Sequence, residues 1–512
     1  MMNIGSLQNE IKRLYNRLNY FDLLMIVFYA ALFLFIVQFL RTSFLNYDEA
    51  VQFWISKGLN PDSAPLSSEG TLWDVIVNNR HYHFDPGGFG VLLHFWGAFS
   101  SHHIWLRLLP FIFFIGTIGS FIYLGYIWSR NITTALISGF VPLFHPIIFS
   151  LGFSIRGYSM EILGAVLCLI VIEKLKDKIS YQSLFLWSLV LAIMITSRYS
   201  MIMVAFCTSL YVVYLIWTHS GSVKQKMSYL IVYSAPLLIS VLAIYFITMK
   251  YQNPGVSQLG YLPYLNTNLL ILLETTSILY IAFIFVGMVL LWFSRSVEML
   301  NKYKGVLYLY VSVNLLFILL SFLGLHPWDP TSMRNISMVT VSILALVAVM
   351  VELLKPLLNE KSISKYYILG IALIATLYAN KDNLTLSLHE EYNFYEDLIA
   401  MELDQYDEIY VDWMGSSYIR YLFEYGVYRN QAEGVYPDKF SLQIFSQHHV
   451  LLLPSVDEYS EWQANAPKMS DLNDYPLVIV PMLSGEGFDP DIWQPAGETD
   501  YILINTSHQD SE

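Results

Sequence analysis

The chain has 512 residues, 55% hydrophobic, 16% aromatic and only 13% charged, with a formal net charge of −13; that is too apolar for a water-soluble protein of this length. The charge is uneven: residues 381–512 carry 25 acidic and five basic side chains, a net of −20, which leaves the first 380 residues at +7. An acidic tail without any basic, aromatic-laced patch excludes nucleic acid as a partner.

Residues 1–21 are polar and basic. The apolar run that follows is too long for a signal-peptide core and has no small-residue cleavage site, so no cleavable leader is expected. Runs of about 17–25 apolar residues are long enough to cross a bilayer as helices. Eleven such runs are expected: 22–40, 104–127, 132–151, 157–173, 181–196, 199–217, 228–248, 268–293, 306–325, 335–354 and 366–380. The run at 181–196 is short, and the Ser-Arg-Tyr-Ser stretch around Arg198 fits a tight re-entry. With the N-terminus inside, fifteen of the 28 basic residues fall in inner segments and eight in outer ones. That asymmetry orients the chain with its N-terminus on the inner, cytoplasmic side and its C-terminal tail on the outer side. Cys168 and Cys207 both lie inside predicted spans and read as buried structural thiols.

The fold class expected is a polytopic α-helical membrane domain over residues 1–380 followed by a small acidic α/β domain over 381–512. The first outer loop, 42–103, has no run long enough to cross but has helical patterning. Over 44–57, Tyr47, Val51, Trp54 and Ile55 share one face, with Asp48 and Glu49 toward the other. A short helix is expected at 72–79. Asp85 before Pro86 reads as an N-cap followed by proline in the first helical position, opening an interfacial helix over 89–99. In the tail, 408–412, 450–453, 477–481 and 501–505 read as strands, and 391–403 and 416–425 as helices. The Gly485-Glu486-Gly487 element is no phosphate loop, because no strand–helix context surrounds it.

Three constellations bear on chemistry. The first is the adjacent pair Asp48 and Glu49, at the membrane boundary and flanked by Tyr47 and Trp54. A carboxylate there can serve as a general base or hold a cation; the plain alternative is a solvated pair at a helix end. The second is a set of arginines, Arg107, Arg156, Arg198 and Arg334, each at the outer end of an apolar segment. Arginine forks onto phosphate or carboxylate. Such residues can ring an anionic headgroup, balance the acidic pair, or simply pair locally, as Arg156 would with Glu161. The third is His81-x-His83-x-Asp85: in an extended segment these side chains point one way and could chelate a metal, but no further ligand at zinc-site spacing accompanies them. Hydrogen-bonding roles for His83 and Asp85, as substrate-binding residues or at the helix start, are therefore favoured, and no metal or other cofactor is expected. Glu274 lies in an apolar stretch and either pairs with Lys250 or lines a cavity.

Taken in order, the acidic pair after span one, the helical first loop, the run Asp85-Pro86-Gly87-Gly88-Phe89-Gly90-Val91-Leu92-Leu93-His94, and Arg107-Leu108-Leu109-Pro110 opening span two resemble a known family. They are similar to the GT-C-fold glycosyltransferases of the protein O-mannosyltransferase and lipid A aminoarabinose transferase type. The likeness covers roughly residues 22–380. Pro86-Gly87-Gly88-Phe89 stands where the family has a double proline and tyrosines, and Asn335 follows Arg334 where tyrosine is usual. The resemblance implies a sugar donor on a polyprenyl phosphate and a lipid, glycan or protein acceptor. Asp48 would act as general base in an inverting transfer, and arginines would stabilise the lipid-phosphate leaving group. Glu49 would position the acceptor or tune Asp48. A transporter is the main rival, but its charges would gather near the bilayer midplane within repeated halves. A catalytically inactive binding or assembly subunit is the other.

Overall fold

The computed structural model describes residues 22–27, 29–30, 45, 47–59, 69–82, 85–144, 146–219, 221–251, 297–322, 336–359, 408–411, 421, 425, 441–444, 478–481 and 501–504. It is mainly helical. The chain divides into two compact units. One comprises residues 1–37, 83–89 and 110–381; the other comprises 38–82, 90–109 and 382–512.

The helices are α1 (Tyr47–Ser56), α2 (Leu72–Tyr82), α3 (Gly88–Gly97), α4 (His103–Ser129), α5 (Ile132–Ser138), α6 (Pro146–Leu151), α7 (Tyr158–Asp177), α8 (Tyr181–Met194), α9 (Tyr199–Thr218), α10 (Val223–Ile247), α11 (Val297–Phe322) and α12 (Ile336–Asn359). Several starts follow from local chemistry. Asn131 caps α5 by accepting from the Thr134 N–H, and Ser222 caps α10 by accepting from the Gln225 N–H. Ser180 and Ser183 cap α8 reciprocally, side chain to backbone in both directions.

Three of these stretches are long and apolar enough to cross a membrane: His103–Ser129, Tyr199–Thr218 and Val223–Tyr251. Helix α10 shows why a bilayer suits them. Its outward side chains include Ile231, Leu238, Ile239, Leu242 and Phe246, all exposed. A face that apolar is unfavourable in water and neutral in lipid. Pro110 in α4 and Pro236 in α10 interrupt the hydrogen-bond ladder within these helices.

The expected span at 132–151 is not one helix. Helix α5 stops at Gly139, a 3-10 turn occupies Val141–Phe144, and α6 begins at Pro146. Pro142 and Pro146 have no N–H to extend the α5 ladder, so the run breaks despite its hydropathy. The expected spans at 268–293 and 366–380 lie outside the described residues.

In the first unit α7 is the core element. Fifteen of its 20 residues are buried, and it packs against α8, α9, α11 and α12. Cys168 on α7 and Cys207 on α9 are both free and buried.

The second unit holds α1, α2 and a four-stranded sheet. The strands are β1 (Glu408–Val411), β2 (Ser441–Ile444), β3 (Val478–Pro481) and β4 (Tyr501–Ile504), in the order β2-β1-β3-β4. β1 pairs in parallel with β2 and with β3, and β3 pairs antiparallel with β4. Three strands match sequence expectation. β2 does not: the Ser-Leu-Gln-Ile segment is too short and too polar on one face to read as a buried strand. The expected strand at 450–453 and helix at 391–403 lie outside the described residues; of 416–425, Tyr421 and Tyr425 are described.

Candidate functional site

The two constellations that the structure describes fall in different units, and each is taken by itself. In the second unit, α1 carries Asp48 and Glu49 in its first turn. Asp48 is exposed. Glu49 is not part of a solvated pair but is 1% exposed. Its carboxylate takes a two-pronged pair from Arg107: Nη1 donates to Oε1 at 2.8 Å and Nη2 to Oε2 at 2.7 Å. Arg107 is itself buried. A planar fork on a carboxylate is the strongest geometry available to two such groups. Of the arginine roles open in the sequence, Arg107 takes that of balancing the acidic pair.

One turn after Asp48, Gln52 is 1% exposed, and neither its Nε2 nor its Oε1 has a hydrogen-bond partner among the described residues. A Cβ added at Gly90 would lie 3.3 Å from Gln52 Nε2 and 3.8 Å from Asn79 Oδ1, so a carboxamide fills the space that glycine leaves. An orphaned buried amide costs about 1–3 kcal/mol. Gln52→Leu is therefore expected to raise the unfolding midpoint of the purified protein; a clear fall would show that the carboxamide is satisfied in solution.

One turn after Glu49 on α1, the Phe53 ring meets Trp54, Tyr421 and Tyr425 edge-on at 5.1, 5.1 and 5.2 Å. Lys57 pairs with Glu69 at 2.8 Å and lies 5.2 Å from the Tyr425 ring centre, and the Tyr425 hydroxyl donates to the same Glu69 oxygen at 3.0 Å. Partial burial raises the Glu69 carboxyl, but Lys57 and Tyr425 outweigh it and leave the group below its ordinary value. Trp96 and Trp105 stack at 4.5 Å, and each indole N–H donates to the other's carbonyl, at 2.7 and 2.8 Å. These aromatics carry no charge pattern that would single them out in the sequence.

In the first unit, a buried carboxylate organises three helix starts. Glu161 lies in the first turn of α7 and is 0% exposed. Ser200, from the first turn of α9, and Ser337, from the first turn of α12, both donate to its Oε1. Its Oε2 pairs with Arg198 Nε at 3.1 Å. The N-terminal ends of three helices therefore converge on one anion, where their dipoles favour negative charge. The local pairing of Glu161 with Arg156 is not what forms. Arg156 instead lies 5.7 Å, and Arg198 4.2 Å, from the centre of the same Tyr158 ring. The terminal nitrogens of Arg198 make no hydrogen bond among the described residues.

The Asp85 turn belongs to this cluster. Asp85 Oδ1 accepts from the Gly87 N–H at 2.9 Å. Gly87 has φ +82°, a left-handed conformation that is not helical, so α3 starts at Gly88 and Pro86 is not its first residue. Asp85 closes a turn before the helix instead of capping it directly. The Gly88 N–H donates to the Thr196 carbonyl at 2.9 Å. A Cβ at Gly88 would lie 2.0 Å from Thr196 Oγ1 and 2.7 Å from Thr196 O. Gly88→Ala must push this turn off the 196–198 link and is expected to cost about 1–3 kcal/mol, read as a lowered unfolding midpoint; an unchanged midpoint would show that the link yields freely.

His81 is in α2, not in an extended segment. It therefore does not share the period-two alignment proposed for His81, His83 and Asp85. His83, Arg334 and Glu274 lie outside the described residues. Among the described residues no group of three or more metal-ligating side chains gathers.

No known protein family matches this chain, and no curated protein matches it either.

Proposed function

We propose that this protein is a membrane glycosyltransferase that moves a sugar from a polyprenyl-phosphate donor to an acceptor hydroxyl, with Asp48 as general base. The observation that carries the reading is the asymmetry of the acidic pair. Glu49 is buried and neutralised by a two-pronged Arg107, whereas its neighbour Asp48 is exposed at the start of the same helix. One carboxylate thus anchors the helix and the other is presented to substrate. Asp48 takes the acceptor proton as the acceptor oxygen attacks the anomeric carbon; the bond from that carbon to the lipid phosphate breaks, and the phosphate leaves as an anion. Glu49 acts by holding Asp48 in place.

The leaving phosphate needs charge stabilisation more than protonation. The resemblance gives that task to arginines, and in the first unit Arg198, with its Nε paired to Glu161 and its guanidinium 4.2 Å from the Tyr158 ring centre, is the arginine we assign to phosphate binding. Arg156 shares the ring and adds a second cation. Arg334 completes the set in this proposal. Arg334→Lys keeps the charge but loses the fork. It is expected to lower turnover, and Arg334→Ala to lower it further and weaken donor binding; a fully active lysine variant would make Arg334 an interfacial anchor.

The reading places eleven spans in a bacterial inner membrane, with 132–151 crossing as a broken helix, the N-terminus in the cytoplasm and an acidic α/β C-terminal domain outside. It needs no metal or other cofactor. Transfer of radiolabelled sugar from polyprenyl-phosphate donors by the purified protein tests it. Substrate movement across vesicles without transfer would favour a transporter, and donor binding without transfer would favour an inactive assembly subunit.

A further inference from the structure

We propose that Tyr421 and Tyr425, from the C-terminal part of the chain, are positioning residues for the acidic helix α1, so that the C-terminal segment belongs to the machinery that presents Asp48. The proposal rests on the transferase reading for its catalytic consequence, but its structural part stands alone.

Helix α1 has ten residues, under three turns. A helix that short is marginal by itself and takes its order from what packs on it. Glu49 on Arg107 holds its first turn. The two tyrosines hold the same face one turn later, at Phe53. Tyr421 is 0% exposed, more than 300 positions after α1 in the chain, and its ring meets Phe53 edge-on at 5.1 Å. Its hydroxyl donates to the Ser101 carbonyl at 3.0 Å, just before α4, the helix that carries Arg107. Tyr421 therefore touches both segments that the Glu49–Arg107 pair joins. Arg107 and Glu49 are also near enough to act on its hydroxyl electrostatically: burial pushes the phenol well above its ordinary value, Arg107 opposes that rise and Glu49 adds to it. Tyr425 holds the far end of α1. It packs on Phe53 and Trp54 and donates to Glu69, which in turn holds Lys57 beyond the last turn.

Hydrogen exchange on the full-length protein in lipid nanodiscs tests the structural part. Edge-on aromatic contacts of this kind sum to about a tenfold change in local opening. Amides of residues 51–57 are expected to exchange about tenfold faster in Tyr421→Ala than in wild type. Amides of α7 and α9 should be unchanged, which shows that the protein is folded. Tyr421→Phe keeps the ring and loses only the bond to Ser101, so it should leave α1 protected. Unchanged exchange of α1 in Tyr421→Ala overturns the proposal. If Tyr421→Ala fails to fold, Tyr425→Ala gives the same readout at residues 54–58, with the same overturning result.

Sugar transfer tests the catalytic part. Tyr421→Ala is expected to lower kcat with little change in donor KM, with activity retained by Tyr421→Phe. A loosened α1 with normal kcat overturns the positioning role. If wild-type protein transfers no sugar, the transferase reading fails, and the exchange result still decides whether the tyrosines hold α1.

Discussion

Asp48→Asn is expected to reduce sugar transfer by about 10²–10⁴-fold, the usual loss when a general base is removed, while leaving the protein folded. The side chain is exposed, and an amide has nearly the same shape. The adjacent Glu49 cannot replace it, because both of its oxygens are held by Arg107 within a buried pair. Turnover and the unfolding midpoint should therefore separate, with the first falling and the second staying. Activity within a factor of two of wild type would remove Asp48 from the mechanism. Glu49→Gln should behave differently: it weakens the pair with Arg107 and should lower stability and turnover together.

Glu161→Ala is expected to destabilise the helical unit by about 3–5 kcal/mol, the cost of breaking a buried ion pair from one side. The change strands Arg198, whose side chain is 13% exposed, and leaves the hydroxyls of Ser200 and Ser337 without their acceptor. It also removes the anion on which three helix starts converge. Glu161→Gln should be milder, because its carbonyl oxygen still accepts from both serines and only the ion pair is lost. Denaturant unfolding in detergent measures both. An alanine variant as stable as wild type would show that the three helix ends are held by packing alone. Loss of donor binding in Glu161→Gln at preserved stability would show that the carboxylate also orients Arg198.

Much of the architecture is written in local pattern. The apolar runs at 104–127, 199–217 and 228–248 appear as α4, α9 and α10 because a segment of that length and hydropathy can satisfy its backbone groups only as a helix. The short first-loop helices follow from the spacing of Val51, Trp54 and Ile55 and from the turn chemistry at Asp85. Local chemistry also misled in two places. Hydropathy joined 132–151 into one span, and the prolines at 142 and 146 separate it. A period of two aligned His81 with Asp85, and α2 extends far enough to take His81 out of register.

The sequence by itself determined which residues carry charge at the ends of apolar helices: Asp48, Glu49, Arg107, Arg156, Glu161 and Arg198. Only the tertiary structure decided which of them meet. Glu49 finds Arg107 across 58 positions, and Ser337 reaches Glu161 across 176; the nearby candidate, Arg156, is turned to Tyr158 instead. The reason is physical. A helix that is apolar on every side has no periodicity to mark the face that will be buried, so its few polar groups reveal their partners only when helices pack. The same holds for Gln52 and for Tyr421, whose place beside the acidic helix depends on a contact across more than 300 residues that no local signal records.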